Sequence, residues 1–147
     1  MTLPLPLPLA SLVVKDGVAI GLLGQRDRDL VLALAARALE PGQAYSESRV
    51  NDQLSAWLEG TGAMLRTDHV ELRRWLVDAG YVARDGFGRA YWRGEAEASR
   101  SLGVLGDAPA GSLEASIDAL RIARSAERAA RRRAFDAGHA RREAPQT

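Results

Sequence analysis

At 147 residues, with 46% apolar and 27% charged side chains, the chain has the composition of one globular domain, long enough to bury a core without staples. It contains no cysteine, and its two histidines, His69 and His139, stand far apart; this excludes disulfides, thiolate metal sites, iron–sulfur clusters, cysteine nucleophiles and a histidine-rich metal site. The formal net charge of +1 is unevenly spread: residues 45–94 carry seven bases and seven acids, whereas residues 121–142 hold eight arginines against Glu127 and Asp136.

The chain opens Met-Thr-Leu-Pro-Leu-Pro-Leu-Pro-Leu-Ala. Alternating prolines lack amide donors and favour an extended polyproline conformation. The segment has neither the positive start nor the unbroken apolar core of a secretory signal, so a cytoplasmic protein is expected. No apolar run reaches the ~18 residues of a membrane span. Asp16-Gly17, between the β-prone runs ending at Val14 and starting at Val18, reads as a small hairpin. Residues 1–25 are thus expected as an extended arm with a small hairpin.

The first clear helix is expected over 29–39, capped by Asp27 or Asp29, with Leu30, Val31, Leu34, Ala38 and Leu39 on one face and Pro41-Gly42 as its stop. The second is expected over 47–59. Ser46 suits its N-cap, Tyr45 and Val50 suit a hydrophobic staple, and Val50, Leu54, Trp57 and Leu58 share a face. The third is expected over 68–79: Asp68 with Glu71 resembles a capping box, Leu72, Trp75, Leu76 and Ala79 point inward, and Gly80 ends the helix. Its other face carries Val70, Arg73, Arg74 and Val77. Residues 81–93 read as a hairpin around Asp85-Gly86-Phe87-Gly88. Residues 95–111, rich in Ala, Gly and Ser, read as a linker. Residues 112–147 read as a basic, Arg/Ala-rich helix and tail, with Leu113, Ile117 and Leu120 as its short apolar stripe.

Three helices followed by a two-stranded hairpin is the order of a winged helix, in which the third helix is the candidate reader of the DNA major groove and the hairpin is the wing. The expected fold is therefore mainly α with a small β-hairpin wing: a winged helix-turn-helix-like domain over 26–94, plus a C-terminal helix. The connection between the second and third helices is longer than the short turn of a helix-turn-helix.

A family resemblance rests on Leu39-Glu40-Pro41-Gly42, Tyr45-Ser46-Glu47, Val50-Asn51 and Leu54, then on Asp68-His69, Leu72-Arg73-Arg74, Leu76-Val77-Asp78 and Tyr91-Trp92-Arg93. In this order and spacing, residues 28–93 resemble the bacterial domain-of-unknown-function 2087 family. Lys15-Asp16-Gly17 is similar to the short turn that often precedes that domain. The resemblance implies a winged-helix-like fold linked to transcription-regulator modules. Two features depart from it: the longer connection, and Trp75 where the family tends to carry a polar residue.

The candidate nucleic-acid-binding residues are Arg66, Arg73, Arg74, Arg84, Arg89 and Arg93 in the domain, and Arg128, Arg131, Arg132 and Arg133 in the tail. Arginine forks grip phosphate or guanine. For Arg73 and Arg74 the plain alternative is pairing with Glu71 or Asp78. For the tail it is a solvated helix. The third helix is electrically neutral overall, which weighs against strong DNA binding by the core alone. His69 has no nucleophile or metal ligand in reach, so a cap or packing role is expected. Gly86 and Gly88 are turn residues, since no Gly-Lys-Ser/Thr follows them. Trp57 and Trp75 sit at core spacing, whereas Trp92 is placed for either core or solvent. No catalytic residue, metal or cofactor is expected. The leading expectation is a cytoplasmic protein that binds double-stranded DNA, a regulator or accessory factor. The alternative is a protein-interaction module or homodimer using the same fold without DNA.

Overall fold

A computed structural model describes residues 4–143. Met1–Leu3 of the expected arm and residues 144–147 of the expected tail lie outside the described residues.

The N-terminal segment is helical, not an extended arm with a hairpin. Helix α1 spans Leu7–Val13, with Pro6 at its N-cap and Pro8 in its first turn. First-turn amides have no intrahelical acceptor, so a proline there loses no helix bond. What holds α1 is burial of Leu9, Leu12 and Val13, which periodic prolines obscured in the sequence. Instead of closing a hairpin, Val18 forms an isolated parallel bridge with Leu65, and a single 3-10 turn, Ile20–Leu22, follows.

Helix α2, Gln25–Ala36, is the centre of the molecule. Gly24 stands at its N-cap, and neither Asp27 nor Asp29 does. Every residue from Val31 to Ala36 is buried, so α2 has no solvent stripe over its second half. A helix covered all round must have neighbours on every side. They are α1, the later helix α4 (His69–Asp78) and α5 (Glu95–Leu102). Alanines at 33, 35 and 36 keep those neighbours close.

Helix α3, Glu47–Glu59, has the expected bounds, and the Ser46 hydroxyl accepts a bond from the Arg49 amide at 3.2 Å. Tyr45 pairs with Tyr91: each donates its amide to the other's carbonyl at 2.8 Å. Its hydroxyl also accepts from the Glu40 amide at 2.9 Å. The long connection after α3 is a compact turn that ends in the Val18–Leu65 bridge. In α4 the Asp68 carboxylate accepts from the Glu71 amide at 2.8 Å. The Glu71 carboxylate accepts from the Thr67 hydroxyl, also at 2.8 Å, rather than closing the reciprocal half of a capping box. Gly80 (φ +84°) turns the chain into the hairpin.

Strands β1 (Val82–Arg84) and β2 (Tyr91–Arg93) pair antiparallel, with Val82 opposite Arg93 and Arg84 opposite Tyr91. The turn is held by Asp85, whose carboxylate accepts from the Arg89 amide at 2.7 Å and the Ala90 amide at 3.4 Å. These amides, Arg89 foremost, hold the carboxyl below its ordinary value.

The expected linker is not a linker. Residues 95–107 form α5 and a 3-10 segment, Gly103–Asp107, and bury Ala98 and Leu102 against α2. Small residues here allow close approach: a side chain at Gly106 would collide with the backbone of Ser99. The Tyr81 and Ser101 hydroxyls, 2.6 Å apart, tie α5 to the base of the hairpin.

Helix α6, Ser112–Glu143, docks only through its start. Leu113 and Ile117 are buried, and Leu120 packs against the core. Arg37 of the α2 C-terminus is 4% exposed and meets Glu114 in a two-pronged ion pair of 2.9 and 3.3 Å, while also donating to the carbonyls of Ala108 and Pro109. Arg121 donates to the carbonyls of Val13, Gly60 and Thr61, at 2.7–3.1 Å. From Ile122 onward the helix stands in solvent. No helix among the described residues is long and apolar enough to cross a membrane.

Candidate nucleic-acid interface

The outward face of α4 and the strand β1 enclose a groove of about 300 Å³. It is lined by Tyr91 and Val77, by Arg73 and Arg74 of α4 and by Arg84 of β1. Asp78 is the one acid among the residues that line it. Helix spacing puts Val70, Arg73, Arg74 and Val77 on one face of α4. The antiparallel register puts Arg84 directly across from Tyr91.

The arginines are not equivalent. Arg73 is engaged within the fold: its guanidinium donates to the Asn51 side chain at 2.6 Å, pairs with Glu47 at 3.1 Å and lies over the Tyr91 ring. Its partners are thus on α3, and neither Glu71 nor Asp78 holds it. Sequence reading missed Glu47 and Asn51 in this role, although four-residue spacing places them one above the other on α3. Arg73 joins α3, α4 and β2 and lines the groove as a pinned charge. Arg74 and Arg84 are exposed and have no side-chain partner among the described residues. Arg66, at the entrance to α4, is exposed as well; its backbone amide donates to the Val18 carbonyl at 2.8 Å.

At the hairpin tip Arg89 lies over the ring of Phe87, which is 84% exposed. Trp92 is partly exposed on the strand face opposite Tyr91. Trp57 is buried, and Trp75 is half-buried, packed against the core with the Arg28 guanidinium over its ring. Arg93 is misplaced as a groove residue. It is half-buried and lines a different cleft, beside Arg37 and Glu114.

The second basic region is α6 beyond its docked start. Arg121, counted in the sequence with the basic tail, is a structural anchor instead. Arg124 and Arg128 lie beside Lys15 near the end of α1. Arg131, 3.8 Å from Glu127, and the exposed Arg132 and Arg133 continue the series. Residues 124–142 carry seven arginines against Glu127 and Asp136. Groove and arm are lined by different residues. Among the described residues no cluster of three or more His, Asp or Glu side chains is placed to hold a metal.

Fold and groove together define a winged-helix-like domain with an arginine-lined face and a basic helical arm. Residues 24–93, from the N-cap of α2 to the end of β2, match a family described as an uncharacterized protein conserved in bacteria (DUF2087). No curated protein and no solved structure matches the chain.

Proposed function

We propose that this protein binds double-stranded DNA in the bacterial cytoplasm, as a transcriptional regulator or accessory factor that acts by binding rather than by catalysis. The observation that carries this reading is the groove between α4 and the wing, where the exposed Arg74 and Arg84 have no side-chain partner among the described residues beside the pinned Arg73. Free guanidinium forks on a helix-and-hairpin face suit phosphate and guanine edges. The arm adds sequence-independent attraction, which for nucleic acids supplies most of the non-specific affinity. Arg66 at the entrance to α4 and Arg89 at the hairpin tip add further exposed charge.

The test separates groove from arm. Duplex binding is measured for the native chain, for Arg74→Ala with Arg84→Ala, and for Arg128→Gln, Arg131→Gln, Arg132→Gln and Arg133→Gln combined. Loss of the arm charges is expected to weaken binding to any sequence and to flatten its salt dependence by about 0.9 per lost phosphate contact. Loss of the groove arginines is expected to reduce preference for a selected sequence by ~1–3 kcal/mol per bidentate base contact. Unchanged binding in both variants would remove the reading.

A second reading, a protein-docking face without DNA, is favoured by the exposed Val70 in the groove and the exposed Phe87 and Trp92 on the hairpin. It takes over if the native chain binds no duplex at low salt, where charge attraction is strongest.

A further inference from the structure

Between the end of α1 and the first exposed turns of α6 lies a cleft of about 370 Å³. Ile117 is buried where α6 docks, and Arg121, Arg124 and Arg128 follow it four, seven and eleven residues on. At helical spacing these arginines continue the docked face of α6, and all three line the cleft. The opposite face of the helix holds Ala115, Ala119, Ile122 and Ala126, all exposed. A helix that is merely solvated carries its charge outward and its apolar residues inward. Here the order is reversed, and the arginines are gathered on the side that faces the body.

Arg121 is held by the protein itself. It donates to the carbonyls of Val13, Gly60 and Thr61, at the ends of α1 and α3, so those helix ends meet the cleft with a cation instead of bare oxygens. Burial disfavours its charge, and Asp118, one turn back on α6, offsets that only in part. Arg124 and Arg128 are exposed and have no ion pair or side-chain hydrogen bond among the described residues. Lys15, just beyond α1, brings a third such cation into the lining. Asp16 is the one acid there, and Ser125, between the two arginines, adds a hydroxyl. Like charges at three- and four-residue spacing on a helix repel. The empty cleft therefore carries a cost that an anion would relieve.

We propose that this cleft binds phosphate groups carrying two or more negative charges between them, held by the Arg124 and Arg128 forks, the Lys15 ammonium and the Ser125 hydroxyl. A guanidinium fork meets phosphate oxygens in pairs, and an ammonium adds a point charge. A single carboxylate would leave most of the positive charge unmet. Two sources supply such groups: neighbouring phosphates of a duplex backbone, and a free polyphosphate chain. The site shares only Arg128 with the residues assigned to DNA above. A free polyphosphate would fill it whether or not the protein binds a duplex.

The experiment is a calorimetric titration of the full chain with inorganic tripolyphosphate at low salt. A cleft variant combines Lys15→Gln, Arg124→Gln and Arg128→Gln. A charge-matched variant combines Arg132→Gln, Arg133→Gln and Arg141→Gln, none of which lines the cleft. The native chain is expected to bind the probe saturably, the cleft variant to lose about tenfold or more in affinity, and the charge-matched variant about threefold or less. The cleft variant is expected to melt at the native temperature or higher, because the exchanged groups repel one another in the empty protein. A duplex titration of Lys15→Gln then separates the sources. A backbone in the cleft lowers the salt slope by about 0.9 for the lost contact, whereas a free polyphosphate leaves duplex affinity unchanged. The proposal is overturned if tripolyphosphate does not bind, or if the cleft variant binds it as the native chain does. It is equally overturned if the charge-matched variant loses as much, which would reduce the effect to net charge, or if the cleft variant melts markedly lower, which would make these residues structural. Absence of duplex binding removes the DNA reading alone.

Discussion

Arg73 and Arg74 are adjacent in sequence and opposite in role. Arg73 donates to Asn51, pairs with Glu47 and covers Tyr91, and its side chain is 19% exposed. Removing it strands a partly buried asparagine and unpins α4 from α3. Arg73→Ala is therefore expected to cost ~1–3 kcal/mol, the range of charge-assisted hydrogen bonds. Arg74→Ala, at a solvated position without partners, is expected to stay within ~0.5 kcal/mol. Urea denaturation of the two variants checks the contrast. Glu114 carries a larger consequence. Glu114→Ala leaves the buried Arg37 guanidinium with two carbonyl acceptors but no counter-charge, and the loss of one partner from a buried pair costs up to ~3–5 kcal/mol. Asp85 sets the behaviour of the wing in acid. Its folded value lies below the ordinary carboxylate value because the amides of Arg89 and Ala90 bond the charged form. The turn is thus fully held above the ordinary carboxylate range, and its contribution is lost as pH falls through the folded value. The amide resonance of Arg89 followed below about pH 4 is expected to move toward its free-chain position, and Asp85→Asn is expected to remove that titration.

At the scale of elements, the buried faces decide what the chain tolerates. A chain ending at Gly94 keeps the whole winged-helix segment yet loses Ala98, Leu102, Leu113 and Ile117, each no more than 5% exposed. One such leucine truncated to alanine costs ~2–5 kcal/mol, against a total stability of ~5–15 kcal/mol. The Gly94-ending chain is expected to be unfolded by circular dichroism, whereas a chain ending at Ser125 keeps the Arg121 anchor and is expected to melt cooperatively. The same faces explain what was legible in the sequence. Capped helices with a stripe, such as α3 and α4, announced themselves: Ser46, Asp68 and Gly80 each do what their residue types favour. The hairpin was equally plain from Asp85-Gly86 and its flanking β-prone runs. Helices α1 and α5 were hidden, because prolines and small residues mask helices that form through tertiary burial against α2 rather than through intrinsic propensity. Of the candidate interface, the position of Arg74 and Arg84 was readable from periodicity. The engagement of Arg73 by α3 and the turning of Arg93 into the opposite cleft were not, because both depend on how elements pack.

At the scale of the whole molecule, two basic regions of different kind sit on one fold. One is a groove with three arginines and one acid, fixed in position by Arg73 and the Tyr45–Tyr91 pairing. The other is an arm that leaves the body after Arg121 and carries its charge in solvent. On the proposed reading, the first region orients the protein on a duplex, the second gives it reach, and the near-neutral remainder leaves non-specific attraction to the arm. The most direct measurement is the affinity of the full chain for a random-sequence duplex across a salt series. The expected result is binding at low salt whose logarithm falls linearly with the logarithm of salt concentration, with a slope of several units, about 0.9 for each phosphate neutralised. No binding at the lowest salt, or binding indifferent to salt, would contradict it.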